Sequence, residues 1–289
     1  MVKNNIMSTQ KSKTSYSEVT TQFVAVDRLS YAYRLVGTLT DVPLICLQHF
    51  TGTLDNWDPQ VIDGLARNRQ VITIDNAGIG SSEGETPDNV QDMAQTVVSI
   101  ITALGINKCD LLGFSLGGFI AQTVAITNPQ LFRKIILVGT APQGTLALHS
   151  FPQLVGRAFA MPPAEGYLFL FATLSEKSRE KISSTLARLM ARKNDRDKEI
   201  SMPAIQAQIK ALTRWGTDEV TLDLSSIPHP VLIIQGSNDE MMNSASSLEL
   251  FRQIPNAILF FYPDSSHGSF FQYPEIFVDQ ANSFLEKFI

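Results

Sequence analysis

The segment Cys109-Asp-Leu-Leu-Gly-Phe-Ser-Leu-Gly-Gly-Phe119 constrains the fold more than any other stretch of this chain. Cys109–Leu112 reads as a short buried strand. Gly118–Thr127 reads as a helix that stops at Asn128-Pro129. Between them Gly113-Phe-Ser115-Leu-Gly117 places one serine inside the pattern G-x-S-x-G. An ordinary strand end needs no glycine on both sides of a serine. A sharp turn that lifts a hydroxyl above the edge of a sheet does, because strand and helix must approach it closely. The helix that follows points its N-terminus at the serine and favours developing negative charge. The Leu116 N–H is then one candidate donor to an oxyanion.

The rest of the chain fits a sheet built around that turn. Short apolar runs at Ser30–Val36, Pro43–Leu47, Gln70–Ile74, Lys134–Val138, Val231–Ile234 and Ala257–Phe261 read as further strands, of the continuous kind that suits parallel strands covered on both faces. Helical spacing appears at Asn89–Leu104, closed by Gly105, and at Pro274–Phe288. Alternation of this kind predicts an α/β fold with a parallel sheet wrapped by helices. One region breaks the rhythm. Residues 146–226 hold no strong strand but contain helix-like pieces at Ala164–Leu174, Glu176–Arg192 and Pro203–Trp215. A structureless loop of that length is improbable. The expected organisation is a core of residues 23–145 and 227–289, a helical cap at 146–226, and a polar leader at 1–22 that is either mobile or packed on the body.

Composition excludes several classes. The formal charge of −5 comes without a basic run, so neither nucleic acid nor an anionic membrane is an expected partner. No apolar stretch reaches the ~20 residues needed to span a bilayer, and the N-terminus lacks the apolar core of a secretory signal. Cys46 and Cys109 both lie in strand-like runs and read as buried, reduced thiols, which points to a cytoplasmic setting. No cluster has metal-ligand spacing, and no metal or other cofactor is expected.

A serine nucleophile needs a base held by a third group. Of the four histidines, His267 lies in Asp264-Ser-Ser-His-Gly268, past the last strand and before the last helix, where it can reach over the sheet end. His149 begins the cap, and His229 sits between two prolines as in a surface turn. Asp239 follows the Val231–Ile234 strand directly and is the expected acid. Asp264 is close to His267 in sequence, an awkward position from which to reach Nδ1. The turn Gly139-Thr-Ala-Pro142 offers no carboxylate. The expected triad is Ser115, Asp239 and His267. Trp57, Phe159, Tyr167, Phe171, Met241 and Phe270 are candidates to line an apolar acyl or aromatic pocket.

With GFSLGGF, the Gln235-Gly-Ser-Asn-Asp239 turn, the Ser265-Ser-His-Gly268 loop and Asp75-Asn-Ala-Gly-Ile-Gly-Ser-Ser82, the chain resembles the α/β-hydrolase superfamily. It is similar to the group of capped bacterial carboxylesterases, C–C hydrolases and cofactor-free haloperoxidases. The resemblance runs from about residue 30 to the end. It implies a mostly parallel eight-stranded sheet with an inserted cap. Relatives usually carry His-Gly-X after the third strand, X giving the second oxyanion N–H. Here the sequence reads Gln48-His49-Phe50-Thr51-Gly52, which puts Phe50 at X and His49 where a glycine is expected. His49 must accept the backbone geometry of that glycine; it reads either as a structural histidine bonded to local backbone or as a second functional group whose imidazole is a further pocket candidate. Dehalogenases and epoxide hydrolases of this fold carry aspartate at the position of Ser115, which separates them from this chain. The resemblance therefore implies a cofactor-free serine hydrolase of a small, rather apolar ester, as a monomer or homodimer. C–C cleavage, lactone opening and perhydrolysis share the triad and stay open. So does a ligand receptor that keeps the triad but turns over slowly or not at all.

Overall fold

The computed structural model describes residues 14–287. Among them, eight strands form one sheet in the order β1-β2-β4-β3-β5-β6-β7-β8. The strands are β1 (Gln22–Val26), β2 (Leu29–Val36), β3 (Leu44–Leu47), β4 (Val71–Ile74), β5 (Cys109–Phe114), β6 (Phe132–Val138), β7 (Val231–Gly236) and β8 (Ala257–Tyr262). Only β2 runs against its neighbours; β4, β3, β5, β6, β7 and β8 are parallel. Every residue of β3, β4, β5 and β7 is buried, as the unbroken apolar runs require of strands covered on both faces.

The helices are α1 (Pro59–Leu65), α2 (Val90–Ala103), α3 (Leu116–Thr127), α4 (Phe151–Phe159), α5 (Pro163–Phe171), α6 (Glu176–Leu189), α7 (Met202–Thr217), α8 (Ser244–Gln253), α9 (Ser269–Gln272) and α10 (Pro274–Lys287). The expected helix ends largely follow capping chemistry. Asn89, Ser175 and Ser201 each accept a backbone N–H of the first turn of α2, α6 and α7. Helices α4 to α7 lie between β6 and β7 and form the inserted cap. Position 288, the expected last residue of the final helix, lies outside the described residues.

Two expectations about the sheet change. Strand β1 was not evident in the sequence pattern; it is short, lies at the edge and keeps most of its side chains outside the core. Strand β8 is not covered on both faces. It is the opposite edge, and Phe260 and Phe261 are exposed.

Of the two readings of the leader, packing on the body holds for the part that is described. Residues 1–13 lie outside the described residues, but residues 14–21 pack on the body. Tyr16 is buried; its hydroxyl donates to Leu54 O at 2.7 Å and pairs with Thr73 Oγ1 at 2.9 Å. A cluster of buried charge fixes this segment to both core and cap. Arg34, 0% exposed, forms an ion pair with Asp55 at 2.8 Å that lacks hydrogen-bond alignment. It also donates to Thr21 Oγ1 and to Asp195 O. Arg192, on the linker between α6 and α7, donates to the carbonyls of Tyr16 and Val19. Burial explains why so many partners gather here, since an unpaired interior charge is far more costly than an exposed one.

Asp75 ends β4 inside the same cluster. Its carboxylate accepts the N–H of Leu54 at 2.9 Å and of Ser81 at 3.3 Å. Burial, and then the neighbouring Asp197 carboxylate, push its pKa well above the usual carboxylate range. A carboxyl raised in the folded state stabilises most below its unfolded value and loses that contribution as pH rises through the folded value. Stability should therefore decline as pH rises above about 4. Asp197→Asn should flatten that decline, measured as urea midpoints from about pH 4 to 8. An unchanged slope would count against the Asp75–Asp197 coupling.

Candidate active site

Ser115 sits between β5 and α3 at φ +56°, ψ −116°. Backbone in this region costs an L-residue on the order of 1–3 kcal/mol and persists only where the surroundings over-determine it. They do so here. The Ser115 N–H donates to Val138 O at 2.9 Å, and its carbonyl accepts from Gly118 N at 2.8 Å and Thr140 Oγ1 at 2.9 Å. The glycines are set by close approach. A Cβ at Gly113 would lie 2.3 Å from Gly117 O, one at Gly117 2.3 Å from Leu47 O, and one at Gly118 2.4 Å from Thr140 Oγ1. The first turn of α3 therefore abuts the ends of β3 and β6. Ser115 is fully buried, and its Oγ has no hydrogen-bond partner among the described residues.

His267 lies in the loop after β8 and is also 0% exposed. Its Nδ1 is 2.8 Å from Asp239 Oδ2. A carboxylate beside Nδ1 favours the tautomer with the proton there, which leaves Nε2 free to accept. Nε2 is buried without a partner, like Ser115 Oγ. Asp239 is held on all sides: Oδ1 accepts the N–H groups of Met241 and Met242, both at 2.9 Å, and Oδ2 also accepts from Gln235 Nε2 at 3.1 Å. The ring of Phe114, adjacent to Ser115, packs 4.9 Å from the His267 ring, so the histidine lies over the strand end that carries the serine. Gly139 closes the space behind the ring; at φ +51°, a Cβ there would lie 3.2 Å from His267 Nδ1.

The loop after β3 supplies the third part. The Phe50 N–H and the Leu116 N–H make no hydrogen bond among the described residues. His49 does occupy its position without positive φ; the strain falls on the next-but-one residue, Thr51, at φ +60°. The Thr51 N–H donates to Gln208 Oε1 of α7 at 2.8 Å, which ties this loop to the cap. His49 is buried, donates from Nδ1 to Phe50 O at 2.6 Å, and has its pKa pushed down to about 3, chiefly by burial. It is neutral at ordinary pH.

Of the pocket candidates, Phe171 stands against His49 (5.3 Å between ring centres) and His267 (5.7 Å), and Tyr167 stacks on Phe171 at 4.4 Å. Phe270 packs on Phe114 at 4.8 Å and Trp57 on Phe270 at 6.4 Å. Met241 lies behind the acid, through its N–H to Asp239. Phe159 departs from the expectation. It lies 6.4 Å from Phe50 but is 55% exposed on the cap surface. Of the remaining groups, His229 is not on a surface turn but buried, donating from Nε2 to Pro129 O at 2.8 Å. Asp264 instead accepts from Thr173 and Ser175, which holds the turn between α5 and α6.

Sequence reasoning did not single out Gln235 or Gln208. Gln235 had a signal, a polar residue inside the last buried turn of β7. Gln208 had none, lying 157 residues from its partner.

Sheet, elbow and cap are those of an α/β hydrolase. The chain belongs to the alpha/beta hydrolase fold family, whose model matches residues 42–274. It is 27% identical over 234 residues to the 2-hydroxymuconate semialdehyde hydrolase of Pseudomonas putida, covering 77% of this chain and 79% of that protein. It is 26% identical to the pimeloyl-[acyl-carrier protein] methyl ester esterase of Nitrosomonas europaea, over 77% of this chain and 87% of that one. Among solved structures, an alpha/beta hydrolase fold protein from Chitinophaga pinensis superposes with a TM-score of 0.94 at 52% identity, covering 95% of this chain and 100% of that one.

The tie between α7 and the loop carries a stability prediction. Gln208→Leu removes the acceptor of the Thr51 N–H from a fully buried position. The variant should lose about 1 kcal/mol or more in urea unfolding. A loss indistinguishable from zero would mean that the Gln208 contact does not hold the loop.

Proposed function

We propose that the protein is a serine hydrolase that cleaves a small, rather apolar ester through an acyl-enzyme on Ser115. The observation that carries this reading is the buried His267–Asp239 pair at 2.8 Å, with His267 Nε2 and Ser115 Oγ both inside the protein and both without partners. Two buried polar atoms left unpaired are costly, and a catalytic role is a reason for such a cost to be retained. In the proposed cycle, His267 Nε2 takes the Ser115 proton as Oγ attacks the carbonyl. Asp239 keeps the ring oriented and stabilises the imidazolium. The Phe50 and Leu116 N–H groups, with the N-terminus of α3 behind them, hold the oxyanion. His267 then returns the proton to the leaving group and activates the water that frees the acid. The aromatic wall of Phe114, Phe171 and Phe270 supports an apolar acyl group and a water-poor site.

Hydrolysis of a carbon–carbon bond with the same triad is the second reading. It is supported by the likeness to the 2-hydroxymuconate semialdehyde hydrolase, and it needs no residue beyond those above.

A fluorophosphonate probe should label Ser115, as located by peptide mass spectrometry, and His267→Ala should abolish or greatly slow labelling. Folded protein without adduct would overturn the nucleophile assignment. Asp239→Asn should lower ester turnover by on the order of 10³–10⁴ through the wrong histidine tautomer, with little change in KM. A loss under about tenfold would remove Asp239 from that role.

A further inference from the structure

The loop that offers the Phe50 N–H to an oxyanion places a second imidazole beside the first. His49 has every polar atom but one engaged locally. Its N–H donates to Gln48 Oε1 at 3.0 Å, its carbonyl accepts from Gly52 N at 2.9 Å, and its Nδ1 lies 2.6 Å from Phe50 O. A carbonyl oxygen can only accept, so Nδ1 carries the proton and Nε2 carries the lone pair. No hydrogen bond reaches Nε2 among the described residues. The ring stands edge-on to Phe114 (5.2 Å) and Phe171 (5.3 Å). The same two rings flank His267, at 4.9 and 5.7 Å. His49 and His267 therefore share both aromatic neighbours. His49 keeps 7% of its surface exposed, whereas Ser115 and His267 keep none.

We infer that His49 Nε2 is a specificity-determining acceptor. It selects acyl compounds that carry a hydroxyl or N–H donor within two bonds of the scissile carbonyl. This rests on the hydrolase reading above and deepens it. The geometry follows from adjacency in the chain. Phe50 would hold the carbonyl oxygen, and His49 is the residue before it on the same loop. A donor close to that carbonyl is then brought toward the His49 ring, which both aromatic rings border. An ether or alkyl group at the same place leaves the lone pair unpaired in an apolar wall, which is the arrangement that discriminates most strongly. Because burial holds the His49 pKa near 3, the acceptor keeps its lone pair throughout the working range.

The test uses three 4-nitrophenyl esters of one acyl length: 2-hydroxybutanoate, 2-methoxybutanoate and butanoate. Each rate is divided by that of its alkaline hydrolysis, which removes intrinsic reactivity. Wild type should favour the hydroxy ester over both others by about tenfold in kcat/KM. His49→Asn keeps a donor where Nδ1 stands and has nothing where Nε2 stands, so the preference should fall to about one. His49→Gln reaches the Nε2 position with an amide oxygen and should retain a part of it. Since each variant is scored as a ratio, a general loss of activity cancels. No wild-type preference, or a preference that survives in His49→Asn, overturns the inference. Turnover of esters and labelling of Ser115 with a flat ratio would sink it alone. No turnover and no labelling would sink the hydrolase reading and this inference together.

Discussion

The close approach of the first turn of α3 to the ends of β3 and β6 is the constraint on which the site depends. Three glycines make that contact possible, and each would bring a Cβ to within 2.4 Å of a neighbour if replaced. The contact sets Ser115 at a positive φ and points the unsatisfied N–H groups of α3 at its hydroxyl. It also sets the end of β3 and the start of its loop, at Leu47 and Gln48, against Gly117. A site assembled this way is stiff because its parts are the ends of buried strands, not free loops. The energy of the strained serine is held by the sheet, through Val138 and Thr140.

Charge is handled differently in the two halves of the molecule. At the strand ends toward β8, a single buried acid is matched to a histidine, two N–H groups and one amide. On the β4 side, several carboxylates and arginines crowd together, and Asp75 departs strongly from an ordinary carboxylate. The first arrangement leaves one lone pair available for chemistry. The second consumes its donors in joining leader, core and cap. The difference lies in counting: both oxygens of Asp239 accept hydrogen bonds, whereas neither oxygen of Asp197 does, its Oδ2 meeting Arg34 only as an ion pair at 4.0 Å.

Much of this was legible in the sequence. The strands β3 to β7 are apolar runs with clear ends, and the elbow is written in consecutive residues. Asp239 and His267 each follow a recognisable strand, so chain order was enough to pair them. What escaped was of two kinds. Edge strands are only partly covered, so β1 gave no signal and the apolar run of β8 wrongly suggested burial on both faces. Contacts between distant segments leave no trace in local spacing: Arg192 on the leader carbonyls and Gln208 on Thr51 depend on the packed fold. The tautomer of His49 is legible only in three dimensions, because a main-chain carbonyl decides it.

The anchoring of residues 14–21 makes the cap mechanically lopsided. Its α6–α7 linker is riveted to Tyr16, Val19 and Asp55 by arginines, and α7 is stacked on the core through Trp215 and Phe119 at 4.8 Å. Helix α4 meets the core instead through the rings of Phe151 and Phe50, and a cavity of about 590 Å³ lies between the α4–α5 pair and the loops of Asn238 and Ser266. Polar rivets resist sliding in every direction, while an apolar seam beside a void yields to a small displacement. The two sides of α4–α7 are thus held by different forces, directional and polar beside the leader, apolar and bordered by open space at α4.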